Sequence, residues 1–185
     1  LISLYARIGQ VEKAEKHYQE AVAVNPNLAD SHFNYGIVLV NLARYSEAAA
    51  AFLRSLERNP FSADAHYNYA SIIEREGRLD EAATHYQQAL ANNPDHRESH
   101  FHFARILVNQ GKFPDAIEHF KKIISVDDEE TPRYMYALGA TYARSGNNAS
   151  ALQYMREAYK RAERRGQKEV AAAIVRDLQT LEGRQ

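Results

Sequence analysis

The sequence contains no cysteine and carries little net charge. Without cysteine there are neither disulfides nor thiolate metal ligands, although this absence does not identify the compartment. The 23 lysine and arginine residues nearly balance 24 aspartate and glutamate residues, so the formal net charge is −1. A protein that binds the phosphate backbone needs a basic face, so we expect no nucleic acid partner.

Long apolar runs are missing as well. No stretch approaches the roughly 20 apolar residues that a membrane-spanning helix requires, so we expect no membrane insertion. The chain begins at Leu1 rather than at a methionine, so we expect further residues before it. The localisation is therefore left open, with the cytoplasm favoured because no signal sequence is visible. Hydrophobic residues at 45% and charged residues at 25% are typical of a folded, soluble chain.

What the sequence does contain is a repeat. Three prolines, Pro26, Pro60 and Pro94, lie 34 residues apart. An alanine column has the same period, with a slip of one residue before its last member: Ala14, Ala48, Ala82, Ala116 and Ala151. A large residue follows each alanine by four positions: Tyr18, Phe52, Tyr86, Phe120 and Met155. Small residues form another column: Gly36, Ala70, Ala104 and Gly139. So many columns with one period indicate repeated structural units.

Each column has a mechanical reason. Within one unit the apolar residues recur at helical spacing in two blocks, with Gly77 between them. This glycine allows a positive φ that ends the first helix, and a glycine stands at the same place in every unit except one, where Ala43 replaces it. Pro94 ends the second helix. Ser62 and Asp95 then offer side-chain oxygens near the start of the next helix.

These residues resemble the tetratricopeptide repeat, a 34-residue helix-turn-helix with small, aromatic and proline positions in this order. The resemblance implies an all-α fold, a right-handed superhelical solenoid of antiparallel helix pairs that forms one domain. We expect a partial first repeat at residues 1–28 with its second helix intact, followed by repeats at residues 29–62, 63–96, 97–131 and 132–165. The fourth repeat has Asp128 instead of proline, and the acidic residues 127–130 carry one inserted residue in what we interpret as a solvated loop.

Residues 166–185 do not match a repeat. Five apolar residues follow a helical stripe there: Val170, Ala173, Ile174, Leu178 and Leu181. Because the last repeat of a solenoid has no following neighbour, it needs a helix with one apolar and one polar face to cover it. We therefore predict a C-terminal capping helix.

In the family that this chain resembles, the first helices of successive repeats line a concave groove that binds peptides or partner helices. Carrying the groove positions over column by column gives these candidate ligand-binding residues: Asp30, Phe33, Asn34, Ile37, Asp64, Tyr67, Asn68, Ser71, Glu98, Phe101, His102, Arg105 and Tyr136. The same columns also contain Asn41, Arg75, Asn109, Arg133, Ala137, Ala140 and Arg144.

The aromatic column of this set has two interpretations. The rings of Phe33, Tyr67, Phe101 and Tyr136 either contact a ligand or lean sideways and pack on neighbouring first helices, and one ring can do both. Asn34 and Asn68 resemble part of the asparagine ladder of O-linked GlcNAc transferases, or they are surface residues without such a role. The lysines of the carboxylate clamp found in chaperone-binding members are absent. Asp30, Asp64 and Glu98 instead favour a ligand with basic residues.

The eight histidines raise the question of a metal site. His32, His66 and His100 form one column and His17, His85 and His119 another, which is the pattern expected for a duplicated packing position. Zinc needs three or four ligands that converge on one point, and columns spread along a solenoid do not supply them. No nucleophile with a neighbouring base, phosphate-binding glycine loop or metalloprotease motif is present. We therefore predict no metal, no cofactor, no catalytic residue and no enzymatic activity.

The leading prediction is a non-catalytic scaffold that binds a protein or peptide in its groove. The alternative is a substrate-docking or targeting module of a larger enzyme, such as a glycosyltransferase, whose catalytic domain lies outside this sequence. A third possibility is self-association through the uncapped N-terminal repeat. The sequence does not identify the partner.

Overall fold

The computed structural model describes residues 1–183 and, within them, every side chain except those of residues 3, 6 and 7. The described residues fold into α-helices joined by short turns. In chain order these are α1 (Ile2–Arg7), α2 (Val11–Val24), α3 (Ala29–Asn41), α4 (Tyr45–Arg58), α5 (Ala63–Arg75), α6 (Leu79–Asn92), α7 (Arg97–Asn109), α8 (Phe113–Ile123), α9 (Thr131–Arg144), α10 (Asn148–Arg164) and α11 (Lys168–Glu182). The predicted all-α repeat fold is confirmed.

The turn inside each helix pair depends on one residue with a positive φ. Gly77, at φ +82°, ends α5, and two backbone bonds close the turn, from Gly77 N to Glu74 O at 3.0 Å and from Arg78 N to Ile73 O at 3.0 Å. Ala43 occupies the same place after α3 and has φ +57°. The turn geometry is thus kept where the sequence lacks glycine, at the steric cost of a Cβ in the left-handed region.

The small and large columns meet where the two helices of a pair cross. A Cβ built on Gly36 of α3 would lie 2.6 Å from a ring carbon of Phe52 in α4. A Cβ built on Gly139 of α9 would lie 2.7 Å from Cγ of Met155 in α10. Phe52 and Met155 are almost completely buried. The large side chain of the second helix therefore occupies the space that the small residue of the first helix leaves open.

The junction between repeats is a turn that begins with asparagine and proline. The Oδ1 atom of Asn59 accepts a hydrogen bond from Phe61 N at 3.2 Å, as expected for an Asx turn. The Nε2 atom of His66 in α5 lies 3.0 Å from the carbonyl oxygen of Pro60. His32 makes the same contact with the carbonyl of Pro26 at 3.1 Å. The histidine column thus fastens the start of a first helix to the turn before it.

The chain divides into two compact units, Leu1–Ser99 and His100–Gln185. In the first unit, α3 packs on α4 and α5 packs on α6, and the rings of Phe52 and Tyr86 are fully buried between them. In the second unit, the core between α9, α10 and α11 contains Met135, Met155 and Ile174.

The acidic loop before α9 is mostly exposed to solvent, as expected from the sequence, and ion pairs also connect it to α10. The carboxylate of Asp127 contacts Arg161 at 2.8 Å and Arg165 at 2.7 Å, both at the C-terminal end of α10. These guanidinium groups, first of all the hydrogen bond from Arg165, lower the pKa of Asp127. Asp128 accepts a hydrogen bond from Thr131 N at 3.1 Å and so helps to start α9.

The predicted capping helix is present as α11, and residues 184 and 185 of the predicted segment lie outside the described residues. Ile174 and Leu181 of its apolar stripe are buried in the core, and Val170 and Leu178 pack against it. Among residues 1–183, the longest and most apolar helices still fall short of what crossing a membrane requires.

Candidate functional site

The rings of the aromatic column pack on the second helix of their own pair, and Phe101 also packs on a neighbouring first helix, with its ring 5.0 Å from that of Tyr134 in α9. Phe33 lies 5.7 Å from Phe52, measured between ring centroids, and Phe101 lies 5.9 Å from Phe120. In the same way Tyr67 contacts Tyr86 at 6.1 Å. Phe33 and Tyr67 are half-buried, whereas only 5% of Phe101 is exposed. The rings of this column therefore support the fold, and the half-buried ones also present part of their surface to solvent.

In the unit Leu1–Ser99, a histidine joins two of the predicted acidic residues. The Nε2 atom of His96 lies 3.2 Å from Oδ1 of Asp64, and its Nδ1 atom lies 3.7 Å from Oε2 of Glu98. His96 is buried, while the side chains of Asp64 and Glu98 are 69% and 56% exposed. We call these three residues the acidic patch. The ring of Tyr67 lies 5.1 Å from the ring of His96 and forms the apolar wall beside the patch.

One hydrogen bond assigns the tautomer of His96. The backbone N–H of Ser99, in the first turn of α7, donates to Nδ1 at 3.2 Å, so Nδ1 is an acceptor. In the neutral ring the proton then lies on Nε2, which donates to Asp64. His96 thus caps α7, a role that the sequence reasoning assigned to Asp95. It stands one residue before a first helix, as Ser62 does before α5, and the repeat alignment would have found it.

The other candidates of this unit lie elsewhere. Asp30 and Asn34 line a cavity of about 510 Å³ between α2 and the start of α3, together with Val24 and Leu28. Asn68 donates from Nδ2 to the carbonyl of Asp64 at 2.8 Å. Ile37 and Ser71 are half-buried on their helices.

In the unit His100–Gln185, the predicted residues Phe101, Arg105 and Tyr136 lie around one cavity of about 410 Å³ between α7 and α9. Two further arginines, Arg133 and Arg144, also line it. We call this cavity, with its three arginines, the arginine cavity. The remaining lining residues are Val108, Asn109, Phe120, Ala137, Ala140 and Thr141. No aspartate or glutamate is among the described residues that line it.

The ring of Phe101 contacts two of the three guanidinium groups of the arginine cavity, and the third, that of Arg144, lies 5.7 Å from the ring centroid of Phe113. The guanidinium carbon of Arg133 lies 4.6 Å from the ring centroid of Phe101, and that of Arg105 lies 5.8 Å from it. Such cation–π contacts orient the cation without neutralising it. Glu130 reaches Arg133 at 3.4 Å, but both side chains are more than half exposed, so this ion pair contributes little. His102, also on α7, is half-buried with its ring 5.5 Å from that of Phe101.

The capping helix contacts the wall of the arginine cavity. The hydroxyl of Tyr136 donates to Oδ2 of Asp177 in α11 at 2.7 Å. Burial, followed by the hydrogen bond to this carboxylate, raises the pKa of Tyr136 to about 12. The ring of Tyr136 is thereby fixed at the cavity by a residue of the capping helix.

The two histidine columns meet in pairs, which the sequence reasoning missed because it treated each column separately. Nδ1 of His66 lies 2.9 Å from Nδ1 of His85, and the same atoms of His100 and His119 are 2.6 Å apart. Burial lowers the pKa of His66 and of His85. Burial, and next the positive charge that His100 can carry, lower the pKa of His119 to about 4. Each pair is joined by a hydrogen bond between the two Nδ1 atoms.

Metal coordination needs more ligands than these pairs offer. Within residues 1–183, no group of three or more histidine, aspartate or glutamate side chains is arranged to hold a metal ion. Hydrogen bonds described above involve six of the eight histidines: His32, His66, His85, His96, His100 and His119.

Comparison with protein families finds profiles of the tetratricopeptide repeat along the chain. Profiles described as "Tetratricopeptide repeat" match residues 36–97, 75–141 and 132–165, and a profile described as "TPR repeat" matches residues 3–43. The protein O-mannosyl-transferase Tmtc2 of Drosophila melanogaster is 40% identical over 62 residues, which are 29% of this chain and 7% of that protein. An uncharacterized protein of Methanocaldococcus jannaschii is 42% identical over 48 residues, which are 26% of this chain and 56% of that protein.

Solved structures with the same fold cover most of the chain. YrrB, described as a TPR protein with an unusual peptide-binding site, aligns with a TM-score of 0.78 and 22% identity over 95% of this chain and 88% of its own. MamA aligns with a TM-score of 0.77 and 20% identity over 88% of this chain and 95% of its own. At these identities the likeness concerns the fold alone.

Proposed function

Because the chain belongs to the tetratricopeptide-repeat family, we propose that it is a non-catalytic scaffold that binds a peptide or a peptide-like segment of a partner protein. The proposed binding surface consists of the first-helix side chains of the groove columns. The observation that carries the proposal is the arginine cavity, where Phe101, Arg105 and Tyr136 surround one space. A cavity with aromatic walls and a few polar groups is the usual form of a ligand site.

The unit Leu1–Ser99 supports the same function with different side chains. Tyr67 and the acidic patch combine a half-buried ring with two exposed carboxylates. Aromatic anchors beside polar groups are typical of the residues that dominate binding energy. YrrB, which shares the fold, is described as having a peptide-binding site, and this agrees with the proposed class of ligand.

The test is a peptide array probed with the wild-type protein and with Ala137→Trp. Ala137 lines the arginine cavity and is half-buried, so an indole there fills the space that a ligand would use. We expect Ala137→Trp to lose most of the peptides that the wild type retains. The matched control is Ala50→Trp, an exposed alanine of α4.

Circular dichroism must show that both variants keep the helical content of the wild type. If Ala137→Trp is folded and retains the same peptides as the wild type and Ala50→Trp, the cavity is not the binding surface, and the proposal is wrong for this unit.

A second candidate is a docking module of a larger glycosyltransferase. It is favoured by the 40% identity with part of a protein O-mannosyl-transferase. It is also favoured by Asn34 and Asn68, two asparagines that occupy the same position in successive repeats. The coding sequence on both sides of these 185 residues distinguishes the two candidates. A glycosyltransferase domain on the same polypeptide would support the docking module, and its absence would leave the scaffold alone.

Self-association through the N-terminal helices α1 and α2 is a further proposal. Leu4 of α1, Ile8 of the turn after it and Val24 of α2 are 54%, 56% and 88% exposed, so apolar side chains are available there for contact. Light scattering over a concentration series tests it. A constant monomer mass would reject self-association, and a mass that rises with concentration and falls again in Ile8→Lys would support it.

A further inference from the structure

We propose that the arginine cavity of the unit His100–Gln185 takes an acidic peptide segment, with a glutamate or aspartate side chain between the guanidinium groups and an apolar side chain against the rings. This inference rests on the proposed function and adds the chemistry of the ligand. It differs from the expectation drawn from Asp30, Asp64 and Glu98, which favour a basic ligand on the other unit.

The side chains that line the arginine cavity favour a negatively charged ligand. Arg105, Arg133 and Arg144 all line it, all three are exposed, and none of the described lining residues is acidic. The carboxylate of Glu130 meets Arg133 only at 3.4 Å in an exposed position, and the carboxylate of Asp177 accepts from Tyr136. The lining thus carries three basic side chains and no acidic one, which favours an anionic group.

Aromatic and apolar side chains orient the arginines and surround them. Stacking on Phe101 limits the conformations of Arg133, and a planar guanidinium that is already oriented loses less entropy when it binds a carboxylate. Phe120, Val108 and Ala140 give the floor and walls an apolar character. An apolar side chain next to the acidic one would remove this surface from water, and the two contributions would act on one short segment.

The size of the cavity suits a short peptide segment. A volume of about 410 Å³ has room for two or three side chains but not for a folded domain. Nucleic acid would also meet arginines and aromatic rings here, but a backbone of phosphates needs basic groups along a track, whereas the net charge of the whole chain is −1. A peptide with isolated carboxylates fits a single basic cavity better.

The test uses fluorescence anisotropy with three labelled probes on the whole chain. The first is the peptide Glu-Leu-Glu-Tyr-Glu with both ends blocked, so that only side-chain carboxylates are present. The second is its neutral counterpart Gln-Leu-Gln-Tyr-Gln, and the third is a short oligothymidylate. We expect the acidic peptide to bind at least about tenfold more tightly than the neutral one, as one charge-assisted bond would give. This difference shrinks as sodium chloride rises from about 50 to about 300 mM.

The variant removes the three charges and keeps polar side chains: Arg105→Gln, Arg133→Gln and Arg144→Gln together. Its matched control removes three exposed arginines that do not line the cavity: Arg54→Gln, Arg58→Gln and Arg164→Gln. Both proteins have the same net charge, so a general electrostatic effect would weaken them equally. We expect the cavity variant to bind the two peptides alike and the control to keep the wild-type preference.

Several results would overturn the inference. These are equal binding of both peptides by the wild type, a preference that survives in the cavity variant, an equal loss in the control, no binding of the acidic peptide, and tighter binding of the oligothymidylate than of the acidic peptide. The array separates this failure from that of the proposed function. If the array yields neutral or basic peptides whose binding depends on Ala137, the scaffold function stands and only the acidic ligand is wrong.

Discussion

Positions that belong to the same groove columns differ in charge between the two units of the chain. At the second position of each repeat, the unit Leu1–Ser99 has Asp30, Asp64 and Glu98, whereas the unit His100–Gln185 has Arg133. The columns that hold the helices together do not differ in this way, since Phe52 and Met155 fill equivalent spaces beside Gly36 and Gly139. Packing positions therefore repeat in size and shape, and surface positions are free to carry separate chemistry.

The largest effect is expected where a glycine of the first helix faces a large side chain of the second helix. That side chain is the rigid ring of Phe52 in one unit and the flexible Met155 in the other. Gly36→Ala would bring a methyl group within 2.6 to 2.9 Å of three ring carbons of Phe52, and a buried ring cannot bend away. We expect it to lower the free energy of unfolding by about 2 to 3 kcal/mol, the upper range for overpacking. Gly139→Ala should cost about 1 kcal/mol less, because the flexible Met155 side chain can shift.

Denaturant unfolding of both variants checks this comparison. Gly183→Ala in the turn after α11 is the control for a glycine-to-alanine change outside a helix crossing. Equal losses at Gly36 and Gly139 would show that the contacts of Gly139 with the backbone of α10, at 3.2 Å, decide the cost instead.

Acid should weaken both units through the histidine pairs, and the unit His100–Gln185 more strongly. The pKa of His119 is lowered to about 4 in the folded chain, below the ordinary value of 6.5. Between these two values the unfolded chain binds more protons, so stability falls as the pH drops from about 6.5 towards 4. By pH 5 the loss from this one group should be about 1 to 2 kcal/mol. Besides His100, the charges that act on His119 are those of Lys122, Asp115 and Glu118.

His119→Gln keeps a hydrogen-bonding side chain beside His100 but cannot titrate. Its unfolding free energy should change less between pH 7.5 and pH 5 than that of the wild type. His17→Gln is the control, since His17 pairs with Glu20 at the surface. If the pH dependence of His119→Gln equals that of the wild type, the pair does not cause acid sensitivity.

Charge reversal tests the acidic side of the comparison. Asp30→Lys, Asp64→Lys and Glu98→Lys together should weaken a blocked, labelled Lys-Leu-Lys-Tyr-Lys peptide about tenfold, or by about 1.4 kcal/mol, and leave the acidic peptide no worse bound. Reversal of Glu57, Glu118 and Glu163, which are exposed on second helices, is the control. Unchanged affinity in the first variant, or an equal loss in the control, would remove these three acidic residues from the binding surface.

The smallest effect concerns the one turn that lacks glycine. Ala43→Gly should raise the free energy of unfolding by about 1 kcal/mol, because it removes the Cβ at φ +57°. Gly77→Ala, at φ +82°, should lower it by a similar amount. Thermal unfolding measures both, and a destabilised Ala43→Gly would show that the methyl group makes contacts worth more than the strain.

The sequence was sufficient to predict the helix pairs, the turn glycines and the capping helix, because each depends on local spacing or on a repeated column. It did not predict which side chains meet across a pair. His66 and His85 are 19 residues apart and belong to different columns, and only the crossing of α5 and α6 brings their Nδ1 atoms together. The arginine cavity was missed for a related reason. Its arginines come from three columns and two helices, and no single column is basic.

The contact between a first-helix histidine and the proline carbonyl before it has a consequence for folding kinetics. His32 and Pro26, like His66 and Pro60, are only six residues apart, so each contact closes a short loop at little entropic cost. Every repeat junction of this kind can form before distant parts of the chain have met. Folding can then begin at more than one junction and spread to its neighbours, and a chain built from such local closures is expected to fold quickly for its length.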